Sequence, residues 1–218
     1  MDKPHFVSAQ PLSGSVICSS QDYFEAYQRV VANLPHSAIE QAIEELLRAY
    51  ESGRAIFIFG NGGSAASASH FACDLSKGTV IGDNGQKRFR VIALTDNVPL
   101  MTAWANDSCY EGIFAEQLRN FVTPGDVAFA MSGSGNSPNV LQALKVARDA
   151  RATTIGLTGF KGGKMTSLCD VCVIIPTDNM QIIEDFHVSV THAVFSVIRR
   201  RVHEYVLVPP LAASAATD

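Results

Sequence analysis

The chain has 218 residues, of which 47% are apolar and 17% charged. This composition supports a large core, excludes global disorder and fits one domain. A formal charge of −4 with no basic stripe speaks against a protein that tracks nucleic-acid phosphates. The one basic cluster, Arg199-Arg200-Arg201, closes an apolar helical pattern, where cations complement the helix dipole. No apolar run approaches the roughly 18 to 20 residues that a membrane span needs. Met1 to Ser20 holds one Lys and no apolar stretch, so it does not read as a signal peptide. The five cysteines, Cys18, Cys73, Cys109, Cys169 and Cys172, are scattered and odd in number. Reduced thiols in a cytoplasmic protein are the expectation, with the lone CxxC at Cys169–Cys172 read as core packing.

In chain order, residues 1–20 read as an extension. Tyr23, Phe24, Tyr27, Val30, Val31 and Leu34 then recur at helical spacing. Pro35 interrupts, and Ser37-Ala38-Ile39-Glu40 has the form of a capping box. Ile39, Ile43, Leu46, Leu47 and Tyr50 continue one face until Gly53, so the chain opens with a helical hairpin. Strands are expected at 55–59, 89–94, 127–131, 153–157 and 171–175. Helical stretches are expected from the first glycine-rich break to Leu75, at 98–104, at 111–121, from Pro138 onward and from 180 to 201, with a short helix before the last strand. Strands alternating with helices mean parallel crossovers. The predicted fold is α/β, a three-layer αβα sandwich with a five-stranded parallel sheet spanning 21–205. Residues 206–218 read as a loose tail.

In an open parallel sheet, ligands bind beyond the carboxyl ends of the strands. Two loops at such ends are unusual: Gly60-Asn61-Gly62-Gly63-Ser64 and Ser132-Gly133-Ser134-Gly135-Asn136-Ser137. Glycines let the backbone approach an anion, and the following helix N-terminus favours negative charge. Serine hydroxyls add donors without charge. Neither loop is a GxxxxGK[ST] or a full GxGxxG, so a small phosphorylated metabolite suits them better than a dinucleotide. Gly62, Gly63, Ser64, Ser132, Gly133, Ser134 and Ser137 are the candidate phosphate residues. His70 and Asp74 lie four apart on the helix after the first loop, and so share a face. Glu184 and His192 lie eight apart on the last helix, with His187 between them. If the two helices meet, His70, Asp74, Glu184 and His192 would make a zinc site.

These residues resemble the sugar isomerase (SIS) family, and within it the bacterial phosphoheptose isomerases. The likeness rests on Gly60-Asn61-Gly62-Gly63-Ser64-Ala65 with His70-Phe71-Ala72, on the second serine loop, and on Glu184, His187 and His192. It runs from about residue 20 to residue 203, in the family's order and spacing. It implies a homotetramer with active sites shared between subunits. The activity it implies is conversion of sedoheptulose 7-phosphate to D-glycero-D-manno-heptose 7-phosphate, commonly with Zn2+. It matches Ser64, Ser132, Ser134 and Ser137 to phosphate contacts and Asn61 and Asp96 to groups near the sugar. His70 matches a zinc ligand, and His192 a ligand with catalytic work.

Three positions depart from the family pattern. Asp74 stands where Glu, the family's base, is usual. Glu184 stands where Gln is usual, and Gly133 where Thr is frequent. Asp is one methylene shorter than Glu, and a base must come within roughly 2.6–3.2 Å of its proton or act through a water. The expectation is a partial exchange of roles, with Asp74 mainly holding metal and Glu184 moving protons. Two rival readings share the fold: a non-catalytic tetramer that binds the replication initiator, and a phosphosugar-sensing module. Relatives of the first kind lack the acid four residues after the His, which is present here as Asp74. The second kind carries a DNA-binding segment, whereas residues 1–50 have no basic recognition helix.

Overall fold

The computed structural model describes residues 17–82 and 85–207. The expected extension and tail therefore lie mostly outside the described residues. Helices α1 (Ser20–Val31) and α2 (His36–Ser52) lead into β1 (Ala55–Gly60) and α3 (Gly63–Cys73). A π-helical turn, Asp74–Gly78, extends α3 directly. Then come β2 (Arg90–Ala93), α4 (Val98–Asp107), α5 (Ala115–Phe121), β3 (Val127–Ser132) and α6 (Pro138–Asp149). The chain continues through β4 (Thr153–Thr158), a 3-10 turn (Gly163–Ser167), β5 (Val171–Ile174) and α7 (Met180–Leu207).

All strand pairs are parallel, in the order β2-β1-β3-β4-β5. Alternate residues of each strand point to opposite faces; both faces of β1, β3, β4 and β5 are covered, whereas the edge strand β2 is largely exposed. Ile56, Ile58, Phe129 and Leu157 pack with α2, α3 and α7 on one side. Phe57, Phe59, Ala128 and Ala130 pack with α5 and α6 on the other. This double burial explains why the strands read as continuous apolar runs rather than alternating ones. The three-layer αβα expectation holds.

Two local expectations do not. The Ser37–Glu40 capping box is absent: α2 begins at His36, and its cap is Pro35, with no side-chain bond. The Pro35 carbonyl instead accepts from the Ile39 amide at 3.1 Å, so the proline itself caps the helix. The capping box belongs to α1. There Ser19 Oγ accepts from the Asp22 amide at 3.1 Å, and Asp22 accepts from the Ser19 amide at 2.9 Å. Helix α7 also runs to Leu207, past the arginine cluster expected in its last turn. Arg200 pairs with Glu204 at 2.7 Å, and Arg201 reaches Glu44 and Glu40 of α2.

Two carboxylates, Asp126 buried and Asp170 exposed, tie the strand entrances together. Asp126, 3% exposed, accepts from the Ala55 amide at 2.8 Å and from the Thr123 amide at 2.7 Å. It thereby links the start of β1 to the turn before β3. Asp170 does the same for Thr154 at the start of β4, at 2.8 Å. Replacing Asp126 by Ala leaves the amide of buried Ala55 without its acceptor and removes the bonds to Thr123. We expect Asp126→Ala to lower unfolding free energy by about 2–4 kcal/mol in urea titration, and Asp126→Asn by less, because one acceptor oxygen survives.

Candidate active site

The order β2-β1-β3 makes a topological switch point, because the chain leaves β1 and β3 toward opposite sides. The two glycine–serine loops begin there. Asn61 and Asn139 bind each other across the gap: Asn61 Nδ2 donates to Asn139 at 2.9 Å, and Asn139 Nδ2 donates back at 2.7 Å. The Tyr110 hydroxyl adds a bond to Asn61 at 3.2 Å. Asn139 is buried in the first turn of α6, while Asn61 follows β1. One loop therefore holds the other. Asn139 and Tyr110 went unnoticed in the sequence because neither lies in a glycine loop or at a ligand spacing.

In the second loop, Ser132 and Ser137 hydroxyls lie 3.1 Å apart. Ser134 Oγ accepts from the Asn136 amide at 3.2 Å. Gly135 takes a left-handed φ of 64°, and a Cβ there would lie 2.0 Å from the Gly162 carbonyl, so the close approach requires glycine. A Cβ on Gly133 would lie 2.5 Å from Met180 Sδ, so the methionine fills the space beside a glycine at that position. Asp96 accepts from the Ser69 hydroxyl, which also meets Thr95 Oγ1 at 3.0 Å. Of the expected substrate residues, Asp96 lines an open cleft of about 600 Å³ between α3 and β2.

Helices α3 and α7 do meet, and they bring three of the four expected metal residues together. The Nε2 atoms of His70 and His192 lie 3.4 Å apart. Asp74 Oδ2 lies 3.8 Å from the first and 3.7 Å from the second. Two metal–ligand bonds of about 2.0–2.1 Å at a tetrahedral angle separate their donor atoms by roughly 3.3 Å. The trio is close to that spacing without rearrangement. Asp74 Oδ2 is also buried and has no hydrogen-bond partner, a costly state for a carboxylate oxygen unless a cation faces it. The residues therefore fit a divalent metal.

Glu184 stands apart from this group. Among the described residues, the candidate metal cluster is His70, Asp74 and His192, not the expected four. Eight residues of helix separate Glu184 from His192 by roughly 12 Å of rise. The Glu184 carboxylate instead lies over the start of α3, with its oxygens 2.9 and 3.0 Å from where a Gly63 Cβ would be. It is exposed and faces the first loop.

Comparisons with known proteins bear on the family and the fold. Residues 21–159 match the SIS domain family. The phosphoheptose isomerase of Trichlorobacter lovleyi is 38% identical over 187 residues, covering 83% of this chain and 90% of that protein. The chain belongs to the SIS domain family. The structure of phosphoheptose isomerase GmhA from Neisseria gonorrhoeae superposes with a TM-score of 0.76 at 30% identity, over 83% of this chain and 97% of that one. A phosphoheptose isomerase from Francisella tularensis gives the same TM-score at 29% identity, over 83% and 96%.

His187, also on α7, is fully buried behind the first loop, and burial lowers its pKa to about 4. In the unfolded chain the ring takes up a proton near pH 6.5. Below that pH the unfolded state binds a proton that the folded state refuses. Stability should therefore fall between about pH 6.5 and 4, by up to roughly 3 kcal/mol from this group. Chemical denaturation across that range checks it, and His187→Asn should flatten the acid-side slope.

Proposed function

We propose that the chain is an aldose–ketose isomerase that converts sedoheptulose 7-phosphate to D-glycero-D-manno-heptose 7-phosphate. The observation that carries the reading is the acid retained at Asp74 between two imidazoles, in a fold whose relatives are named phosphoheptose isomerases. That acid disfavours the non-catalytic binding-protein alternative.

In this reading, Gly62, Gly63, Ser64, Ser132, Gly133, Ser134 and Ser137 bind the phosphate and fix the far end of an open-chain sugar. Asn61 and Asp96 contact its hydroxyls. A carboxylate then takes the proton from the carbon beside the carbonyl. The electrons move toward the oxygen, giving an enediolate, and the proton returns to the neighbouring carbon. Glu184 is the preferred base, because it is exposed beside the first loop while Asp74 is enclosed by His70 and His192. Glu184 keeps and redelivers the carbon-bound proton, and His192 is the candidate to carry the proton that moves between the two oxygens, since imidazole can both donate and accept. His70, Asp74 and His192 would hold Zn2+, which when bound supplies Lewis-acid stabilisation of developing negative charge.

A homotetramer with shared active sites completes the reading. Helix α4 is mostly apolar, yet none of its residues is buried in the single chain. Ile92 of edge strand β2, Val98 and Phe121 are about half exposed, a pattern expected of surfaces that another copy covers.

The first test is metal analysis of the purified protein together with sedoheptulose 7-phosphate turnover, before and after chelation and zinc return. We expect zinc to be bound, and turnover to fall on chelation and recover with zinc. Zinc without turnover would point to a different phosphosugar. Neither metal nor turnover would move the weight to a binding protein. At saturating zinc, we expect Glu184→Gln to lower kcat by about 100-fold or more, and Asp74→Asn mainly to weaken zinc retention. A larger kcat loss in Asp74→Asn with zinc fully retained would reverse the two assignments.

A further inference from the structure

His187 is a buried imidazole that the proposed chemistry does not use. It projects from α7 against Ser64, the serine that opens the first turn of α3. Its Nδ1 lies 3.4 Å from Ser64 Oγ, and its Nε2 is buried with no hydrogen-bond partner. Burial keeps the ring neutral near pH 7. A neutral imidazole carries one N–H, on either Nδ1 or Nε2, and the two tautomers have opposite consequences for Ser64.

With the proton on Nε2, a buried N–H would have no acceptor. Ser64 would also have to spend its single proton on Nδ1, so the serine would present only lone pairs to an incoming phosphate. With the proton on Nδ1, that N–H donates to Ser64 Oγ and the unpartnered atom is a bare lone pair. The Ser64 proton is then free for an anion. Leaving a donor buried and unmet costs the full loss of its hydration, so the first arrangement is penalised twice.

We propose that His187 is a positioning residue: as the Nδ1–H tautomer it donates to Ser64 Oγ and turns the serine's own proton toward the substrate phosphate. The proposal rests on the reading of the first loop as a phosphate site. His187 touches no substrate atom and transfers no proton during turnover. Its effect falls on phosphate affinity, and so on KM rather than kcat.

The tautomer is read directly in the free protein from two-bond nitrogen–proton correlations of the His187 ring. Nδ1–H is expected, and Nε2–H would overturn the proposal. Binding of inorganic phosphate by calorimetry and KM for sedoheptulose 7-phosphate give the second readout. His187→Leu should weaken both about tenfold with kcat changed less than about twofold. His187→Asn carries an amide N–H that can reach the place of Nδ1–H, and should recover most of the loss. The Ser64→Ala/His187→Leu pair should be no worse than Ser64→Ala alone, because both changes remove one interaction. Full additivity, or unchanged phosphate binding in a folded His187→Leu protein, would overturn the proposal. No phosphate binding by the unaltered protein would overturn the phosphate-loop reading and the proposal with it. That failure is distinguishable, because the tautomer is still observed.

Discussion

The reversal of strand order between β1 and β3 is the constraint on which the rest depends. Parallel strands put every carboxyl end at one edge of the sheet, and the reversal opens a gap there. Such a gap is a site only if its two sides keep a fixed distance. The reciprocal Asn61–Asn139 bonds supply that, since each amide uses its donor and its acceptor on the other. Asn139 Oδ1 also accepts from the Val140 amide at 3.0 Å, so the pair is anchored to the first turn of α6. The loops are short, and their glycines let the backbones come within reach of each other.

A second constraint acts at right angles to the first. Helix α3 leaves the first loop, and α7 packs along it, so residues in matching turns face each other. Gly63 meets Glu184 near the start of α3, and His70 meets His192 two turns later. His187 lies between them against Ser64. One helix pair therefore lays out three chemical neighbourhoods in a row: a carboxylate at the loop, a neutral imidazole behind it, and a titratable trio beyond. The eight-residue spacing on α7 sends Glu184 and His192 to different neighbourhoods, which is why a four-membered cluster does not assemble.

Much of this was legible in the sequence. The five strands are apolar runs bounded by glycine or polar breaks, and a doubly buried parallel sheet leaves that signature. The two loops announced themselves by composition, and His70 and Asp74 by their four-residue spacing. Other features left weaker traces. The Ser37–Glu40 pattern pointed to a cap two residues later than Pro35, whose carbonyl in fact takes the first bond of the helix. Asn139 and Tyr110 look like any polar residues until the fold brings residues 78 positions apart into contact. The pairing of α3 with α7 depends on tertiary packing, so sequence could name His70, Asp74, Glu184 and His192 without separating three of them from the fourth.

The π turn at Asp74–Gly78 bears on the shortened acid. A π turn widens a helix and shifts the side chains that follow, and this one begins at Asp74 itself. At its end, a Cβ on Gly78 would lie 2.5 Å from the Phe195 ring of α7. The glycine at residue 78 leaves room for the Phe195 ring against the turn. Phe195 lies three residues beyond His192, so the close contact is within one turn of the trio. A carboxylate one methylene shorter than Glu needs its partners nearer. His70 is already near, four residues earlier on the same helix; close packing at Gly78 holds α7 and its His192 nearby, and Asp74 lies within 4 Å of both imidazoles.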